Sequence, residues 1–193
     1  SYKEKKDKVY LEKRIKEIGK AVKVPSLANK EWREFFVVDL FSSVQRGKRL
    51  TKKNQIEGNV PYVSSTALNN GVDNYIGNRD KVRIFNDCLS IANSGSVGAT
   101  FYHPYEFVAS DHVTHLKNKD MTMYVYMFIA TMASRMSSKY NFNREISDKR
   151  ISREKIILPV NDNNEPDYEY MEQYMKNLML KKYKQFQTFK ETK

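Results

Sequence analysis

The chain has 193 residues and a formal net charge of +11, with 40% hydrophobic and 30% charged residues. This is enough for one globular domain with a real core and an appended helical arm, and the positive balance favours a polyanionic partner, DNA or RNA first. The single cysteine, Cys88, excludes an intrachain disulfide, and the longest nearly apolar run, Met123 to Ala133, is too short to span a bilayer.

Residues 2–22 read as a helix, because Leu11, Ile15, Ile18 and Val22 step at four, three and four. That narrow stripe fits one partner helix and not a whole core. Pro25 and Ser26 break the helix, so a helical arm over residues 1–24 is expected. From Glu31 to Val160 short β-type runs alternate with turns. Phe35-Phe36-Val37-Val38 reads as a first strand or lead-in, and Val60-Pro61-Tyr62-Val63 as a short strand. Asn69-Asn70-Gly71 carries the Asn-Gly signal of a tight turn. Cys88 to Ala92 reads as a buried strand; Thr100-Phe101-Tyr102, Phe107-Val108-Ala109 and His112 to Leu116 follow. Residues 121–138 switch to helix, and Ile156 to Val160 form a last strand. The expected fold class is therefore α+β, a domain over residues 31–160 built of short, irregular strands plus helices.

A third section, residues 165–193, reads as one long helix. Pro166 suits a first turn, and early acids with late lysines complement the helix macrodipole. Tyr168, Met171, Met175 and Leu178 form a heptad seam. The helix could simply pack on its own domain. The preferred expectation is a coiled-coil arm that pairs with residues 2–22, with another subunit, or with both, so a homodimer through the helices is one expected assembly.

Catalytic motifs are missing. Asn93-Ser94-Gly95-Ser96-Val97-Gly98 lacks the ending of a phosphate-binding P-loop and the spacing of a dinucleotide fingerprint. It reads as a tight turn whose backbone N–H groups, with Ser94, could face a DNA phosphate. His103, His112 and His115 do not converge with Cys88 in any metal-ligand spacing, so no metal site is expected. Pro166-Asp167 followed by Glu191-Thr192-Lys193 imitates a nuclease pattern, but the helix between them would separate the ends by roughly 36 Å. Neither motif of a methyltransferase occurs.

The charge, by contrast, is patterned. Residues 1–30 hold ten Lys/Arg against four acids, residues 31–160 eighteen against thirteen, and residues 161–193 six against six. Within the middle section it clumps. Arg46, Lys48, Arg49, Lys52 and Lys53 lie in a stretch without acids, which reads as a flexible basic loop over residues 45–54. Lys139, Tyr140, Asn141, Phe142, Asn143 and Arg144 place two amides, two aromatics and two cations in six residues. Arg pairs with guanine and Asn with adenine in the major groove, whereas Lys mostly holds phosphate. For the first loop a solvated basic surface and a DNA contact weigh evenly. The second favours DNA, because exposed aromatics beside cations are costly without a partner.

The ordered motifs carry a resemblance. Glu31-Trp32-Arg33-Glu34-Phe35, Asp39-Leu40-Phe41, Arg46-Gly47-Lys48-Arg49-Leu50, Val60 to Ser65, Asn69 to Val72, Asn93 to Gly98 leading to Phe101-Tyr102-His103-Pro104, Phe107 to Val113, Ile157 to Val160 and Pro166 to Glu172 follow one another over residues 31–180. Together they resemble a target-recognition domain of type I restriction-modification specificity subunits. The resemblance implies a non-catalytic module that reads duplex DNA in the major groove and directs adenine methylation and restriction by partners. Methylating and restriction subunits are the implied partners, and S-adenosylmethionine, ATP and Mg are expected on them, none on this chain. A bacterial cytoplasmic location and no membrane partner follow. Such subunits usually hold two recognition domains and this chain one. It is expected to be either a half-subunit that homodimerises or, since it starts with Ser1, a fragment of a two-domain subunit. Similar modules occur in type IIB and type IIG restriction enzymes. The alternative function is a protein-interaction module that docks or regulates a methyltransferase subunit without reading DNA.

Overall fold

The structure is a computed structural model that describes residues 2–140 and 144–191. Helix α1 (Tyr2–Ile18) leads into β1 (Trp32–Phe36), a single helical turn α2 (Val37–Leu40), β2 (Ser43–Arg46), β3 (Glu57–Val63), β4 (Val72–Ile76) and β5 (Ile84–Phe85). Strands β6 (Cys88–Ala92), β7 (Thr100–His103), β8 (Phe107–Ala109) and β9 (Val113–Lys117) follow. The chain ends with α3 (Met123–Ala133), a short α4 (Asp148–Ile151), β10 (Lys155–Pro159) and the long α5 (Tyr168–Glu191).

Two four-stranded sheets, ordered β2-β9-β6-β7 and β4-β3-β8-β5, stand beside a two-stranded ribbon of β1 and β10. All pairings are antiparallel except β3 with β8. The two larger sheets meet through Val63, Cys88, Phe107, Ala109 and Val113, an apolar cluster drawn from both. Burial holds the Cys88 thiol up at about 12, so it stays a neutral, packed group.

The main core forms around α3. Tyr126 and Ile129 are fully buried against Leu89, Leu116 and Leu158, and Met171 of α5 enters the same cluster. Thr122 caps α3 by accepting from the Val125 amide and donates to Glu172 of α5, tying the two helices at their N-terminal ends. The first half of α5 therefore packs into the same core as residues 31–160.

Several expectations shift by a few residues. Val37 and Val38 turn helically instead of extending β1; Val37 and Leu40, three apart, are both buried, and that burial overrides the β preference of valine. Helix α1 stops at Ile18, where Gly19 takes a positive φ of 80° that ends a helix without Cβ strain. Val22, the last residue of the sequence stripe, is exposed beyond it. The tight turn at Asn69 and Asn70 is present, both with positive φ, as short polar side chains tolerate. α5 begins two residues after Pro166, with Asp167 accepting from the Tyr170 amide as its cap.

α1 lies against α5. Leu11 and Ile18 are buried there, as is Leu180 of α5. The connection back to β1 is stapled to α5. Asn177 accepts from the Val22 amide at 3.1 Å and donates to the Val22 carbonyl at 2.6 Å, Tyr170 donates to the Pro25 carbonyl, and Lys30 pairs with Asp167 at 2.7 Å. Within the seam, Met171 is wholly enclosed by its own domain, Tyr168 and Met175 pack on the same core, and Leu178 is exposed. The seam thus serves intrachain packing at Tyr168, Met171 and Met175, and α1 pairs with α5 within the chain.

Candidate nucleic-acid interface

A polar cleft of about 390 Å³ opens where the C-terminal ends of β3 and β8 meet β4 and the segment that leaves β2. Ser64 and Ser65 extend from β3, and Ser110, Asp111 and His112 form the turn between β8 and β9. Asp73 and Asn74 come from the edge strand β4, and Arg49, Lys52 and Gln55 line the side nearest the basic segment. Serines, amides, carboxylates and cations thus share one concavity, the mixture of donors and acceptors that base edges and phosphates call for.

The basic segment is less free than its composition suggests. Gln45 and Arg46 belong to β2 and are held in its ladder with β9. Arg46 donates to the Ile146 carbonyl at 3.0 Å and pairs with Asp148 at 3.0 Å, so its guanidinium joins β2 to the segment before α4. Gly47 then crosses directly over the β8–β9 turn. A Cβ there would lie 2.1 Å from the Ser110 carbonyl oxygen, so only glycine fits. Lys48 is fixed through its amide to the Ala109 carbonyl, and its side chain is exposed. Arg49 is exposed with a long 3.8 Å approach to Asp111, and Lys52 and Lys53 project from a short 3-10 turn.

Ser94 is buried and shares a 2.7 Å hydrogen bond with His112 Nδ1. Its loop is a structural turn: the amides of Ser96, Gly98 and Ala99 all donate to carbonyls of the protein. In the second basic segment, Lys139 pairs with Glu154 at 3.2 Å. Tyr140 is buried, not exposed as its sequence neighbourhood suggests; its hydroxyl donates to Glu154, and burial pushes it up to about 12. Exposed Arg144 lies over the Tyr140 ring at 5.5 Å. Asn141 and Asn143 lie outside the described residues.

The two segments are brought to one end of the domain. His112 touches Ser94, the Asn93 amide donates to the His112 carbonyl, and the Ile146 amide donates to the Asn93 carbonyl. Arg46 closes the circuit at Ile146. A continuous rim therefore runs from Arg49 and Lys52 past His112 and Ser94 to residues 144–148. Sequence reasoning missed Gln55, Ser64, Ser65, Asp73, Asn74, Asp111 and His112. The signal was present as an apolar strand ending in hydroxyl or acidic residues, twice over, at Tyr62-Val63-Ser64-Ser65 and Val108-Ala109-Ser110-Asp111.

The other histidines are structural. His103 is fully buried, bonded to Ser90 at 2.8 Å, and burial lowers it to about 4. Burial also lowers His115, which bonds Ser43 and the Gln45 carbonyl at 2.9 Å each. Among the described residues no group of His, Cys, Asp and Glu could hold a metal, and no helix is long and apolar enough to cross a membrane. A second, apolar cleft of about 620 Å³ lies elsewhere, between α3, α5 and the β1–β10 ribbon; Trp32, Phe128, Met132 and Tyr174 line it and Arg135, Lys139 and Lys155 edge it.

Comparison with known proteins accords with this geometry. Residues 29–188 match the family described as the type I restriction modification DNA specificity domain. The chain is 34% identical over 152 residues to the type II restriction enzyme BgcI specificity subunit S.BcgI of Heyndrickxia coagulans, which covers 78% of this chain and 44% of that protein. Its fold is similar to the type I restriction-modification S subunit from M. genitalium, with a TM-score of 0.56 at 15% identity over 93% of this chain and 48% of that one. It is also similar to the HsdS subunit from Thermoanaerobacter tengcongensis, with a TM-score of 0.53 at 14% identity over 94% of this chain and 44% of that one. The chain thus spans about half the length of the relatives it matches. With the family match running through the core, the polar cleft and most of α5, the chain belongs to the type I restriction modification DNA specificity domain family.

Proposed function

We propose that this domain reads a short stretch of duplex DNA for a restriction-modification complex, with the polar cleft facing base edges and the exposed cations around it holding phosphate. The observation that carries the proposal is the gathering of Arg49, Lys52, Ser64, Asn74 and His112 into one concavity on a domain of this family. Its role is recognition: methylation and cleavage belong to partner subunits, which hold S-adenosylmethionine, ATP and Mg. The methylating and restriction subunits are the partners this role requires, and a second recognition domain, whether in a second copy or in the same polypeptide, would read the other half of a split site.

Selection from a random duplex pool by the 193-residue chain tests the proposal. Enrichment of a short motif is expected. Equal retention of all sequences at moderate salt would refute it.

A second reading, docking to a methyltransferase subunit without reading DNA, is favoured by the apolar cleft along α3 and α5. Complex formation with a methylating subunit, combined with no DNA selectivity, would promote it over the first.

A further inference from the structure

Within the polar cleft one pair of side chains has the chemistry to read a particular base. Asn74 Nδ2 donates to Gln55 Oε1 at 2.8 Å. That bond uses one donor and one acceptor of the two amides. Among the described residues, Asn74 Oδ1 and the Gln55 Nε2 amine make no other hydrogen bond, and both side chains line the cleft. The pair therefore presents one acceptor beside one donor. Exchanging O and N in both amides keeps one acceptor beside one donor and swaps only which residue supplies each.

The pair is also pre-positioned. Gln55 sits between two residues clamped by one side chain: Asn78 accepts from the Ile56 amide at 2.8 Å and donates to the Asn54 carbonyl at 3.0 Å. The Gly77 amide donates to the Ile56 carbonyl, and the Gln55 amide closes the 3-10 turn on Lys52. Asn74 is fixed by register opposite Tyr62 on the edge strand β4. A reader held by its backbone on both sides loses little freedom when it binds.

In the major groove only adenine offers a donor next to an acceptor on one base, its N6 amine and N7. Guanine offers two acceptors, cytosine a donor, and thymine an acceptor and a methyl group. We infer that the Gln55–Asn74 amide pair reads an adenine in the recognised half-site, the Asn74 oxygen accepting from N6–H and the Gln55 amine donating to N7. This rests on the DNA-reading role proposed above, and assigns to that cleft the base it selects.

Selection from a random duplex pool, run in parallel on the wild-type chain, Gln55→Glu and Asn74→Ala, tests it. Wild type should enrich a motif with a fixed adenine, favoured by roughly 5- to 150-fold over other bases at that position. In Q55E the introduced carboxylate still accepts from Asn74 but puts an acceptor where the free donor was. That variant should lose adenine there and shift towards cytosine, whose N4 amine is a donor. N74A should relax that one position. Neither variant should alter the other positions of the motif; N74A should leave the salt dependence unchanged, whereas the added carboxylate of Q55E should also weaken binding to all sequences. Both residues are on the surface of the cleft, and a circular-dichroism melt of each variant checks that the fold persists. An unchanged motif in both variants would overturn the amide-pair assignment and leave DNA reading intact. A wild-type chain that enriches no motif would overturn both.

Discussion

His103 makes the domain's stability depend on pH in a calculable way. Its ring is fully buried on β7, hydrogen-bonded to Ser90 and packed 4.5 Å from the Phe107 ring, and burial lowers its pKa from 6.5 to about 4. Above pH 6.5 the residue is neutral both folded and unfolded and costs nothing. As pH falls below 6.5 the unfolded chain takes up the proton first, so stability is lost progressively down to pH 4 and then levels off. The full loss is about 3 kcal/mol, and most of it is present by about pH 4.5. Carboxylates and His115 titrate nearby, so the measurement is a difference. Urea unfolding of wild type and His103→Gln at about pH 7.5 and about pH 4.5 gives each protein's own pH loss. The variant should be less stable at the higher pH but lose roughly 2–3 kcal/mol less than wild type between the two pH values. Equal losses would show that His103 does not take up its proton on unfolding, and would refute the role given to burial.

Other outcomes follow from the same geometry. Replacing Lys52 and Lys53 together by alanine should leave the selected DNA motif unchanged, weaken binding to all sequences, and flatten the salt dependence by about one unit of slope per lost phosphate contact, read from binding titrations across salt. Arg46→Ala should act on the fold as well as on binding, because it removes the link from β2 to Ile146 and Asp148; a lowered melting temperature in the absence of DNA is expected, and an unchanged one would return Arg46 to the phosphate-contacting set. Met171→Ala should cost about 2–5 kcal/mol in urea unfolding, since the side chain is fully enclosed. A cost near zero would mean that the first half of α5 is not part of the core.

The sequence foretold much of this fold because its strands are punctuated by glycine, asparagine and serine. The buried run Cys88–Ala92, the Asn-Gly turn and the long helix α5 all follow from local pattern. Residues 37–40 did not, since only tertiary burial of Val37 and Leu40 makes a valine pair turn helically. The site was half legible. Charge clumping identified the basic segment, but charge says nothing of which cations have partners. Arg46 and Lys139 are engaged by Asp148 and Glu154, residues 102 and 15 positions away in the chain. Tyr140 looks exposed in the sequence because its neighbours are polar, yet its side chain is buried in the main core cluster, most of whose members are distant in sequence. The uncharged readers Gln55 and Asn74 carry no compositional signal; only the pairing of β3 with β4 brings them together.

The crossing of Gly47 over the β8–β9 turn has a consequence for how such a domain can acquire a new target. Upstream of that crossing the chain is locked into β2, and at the crossing no side chain fits. Past that crossing, new side chains find room from Lys48 onward, up to the point where Asn78 clamps Asn54 and Ile56. That leaves a short, well-bounded cassette whose ends are welded to the scaffold. Within it Leu50 is itself anchored, its side chain packed on Tyr62, Ile76 and Val108 and its carbonyl accepting from the Tyr62 hydroxyl, so on the DNA-reading role proposed above a new target is written by changes of letter at positions such as Lys52, Lys53 and Gln55 while the core stays as it is.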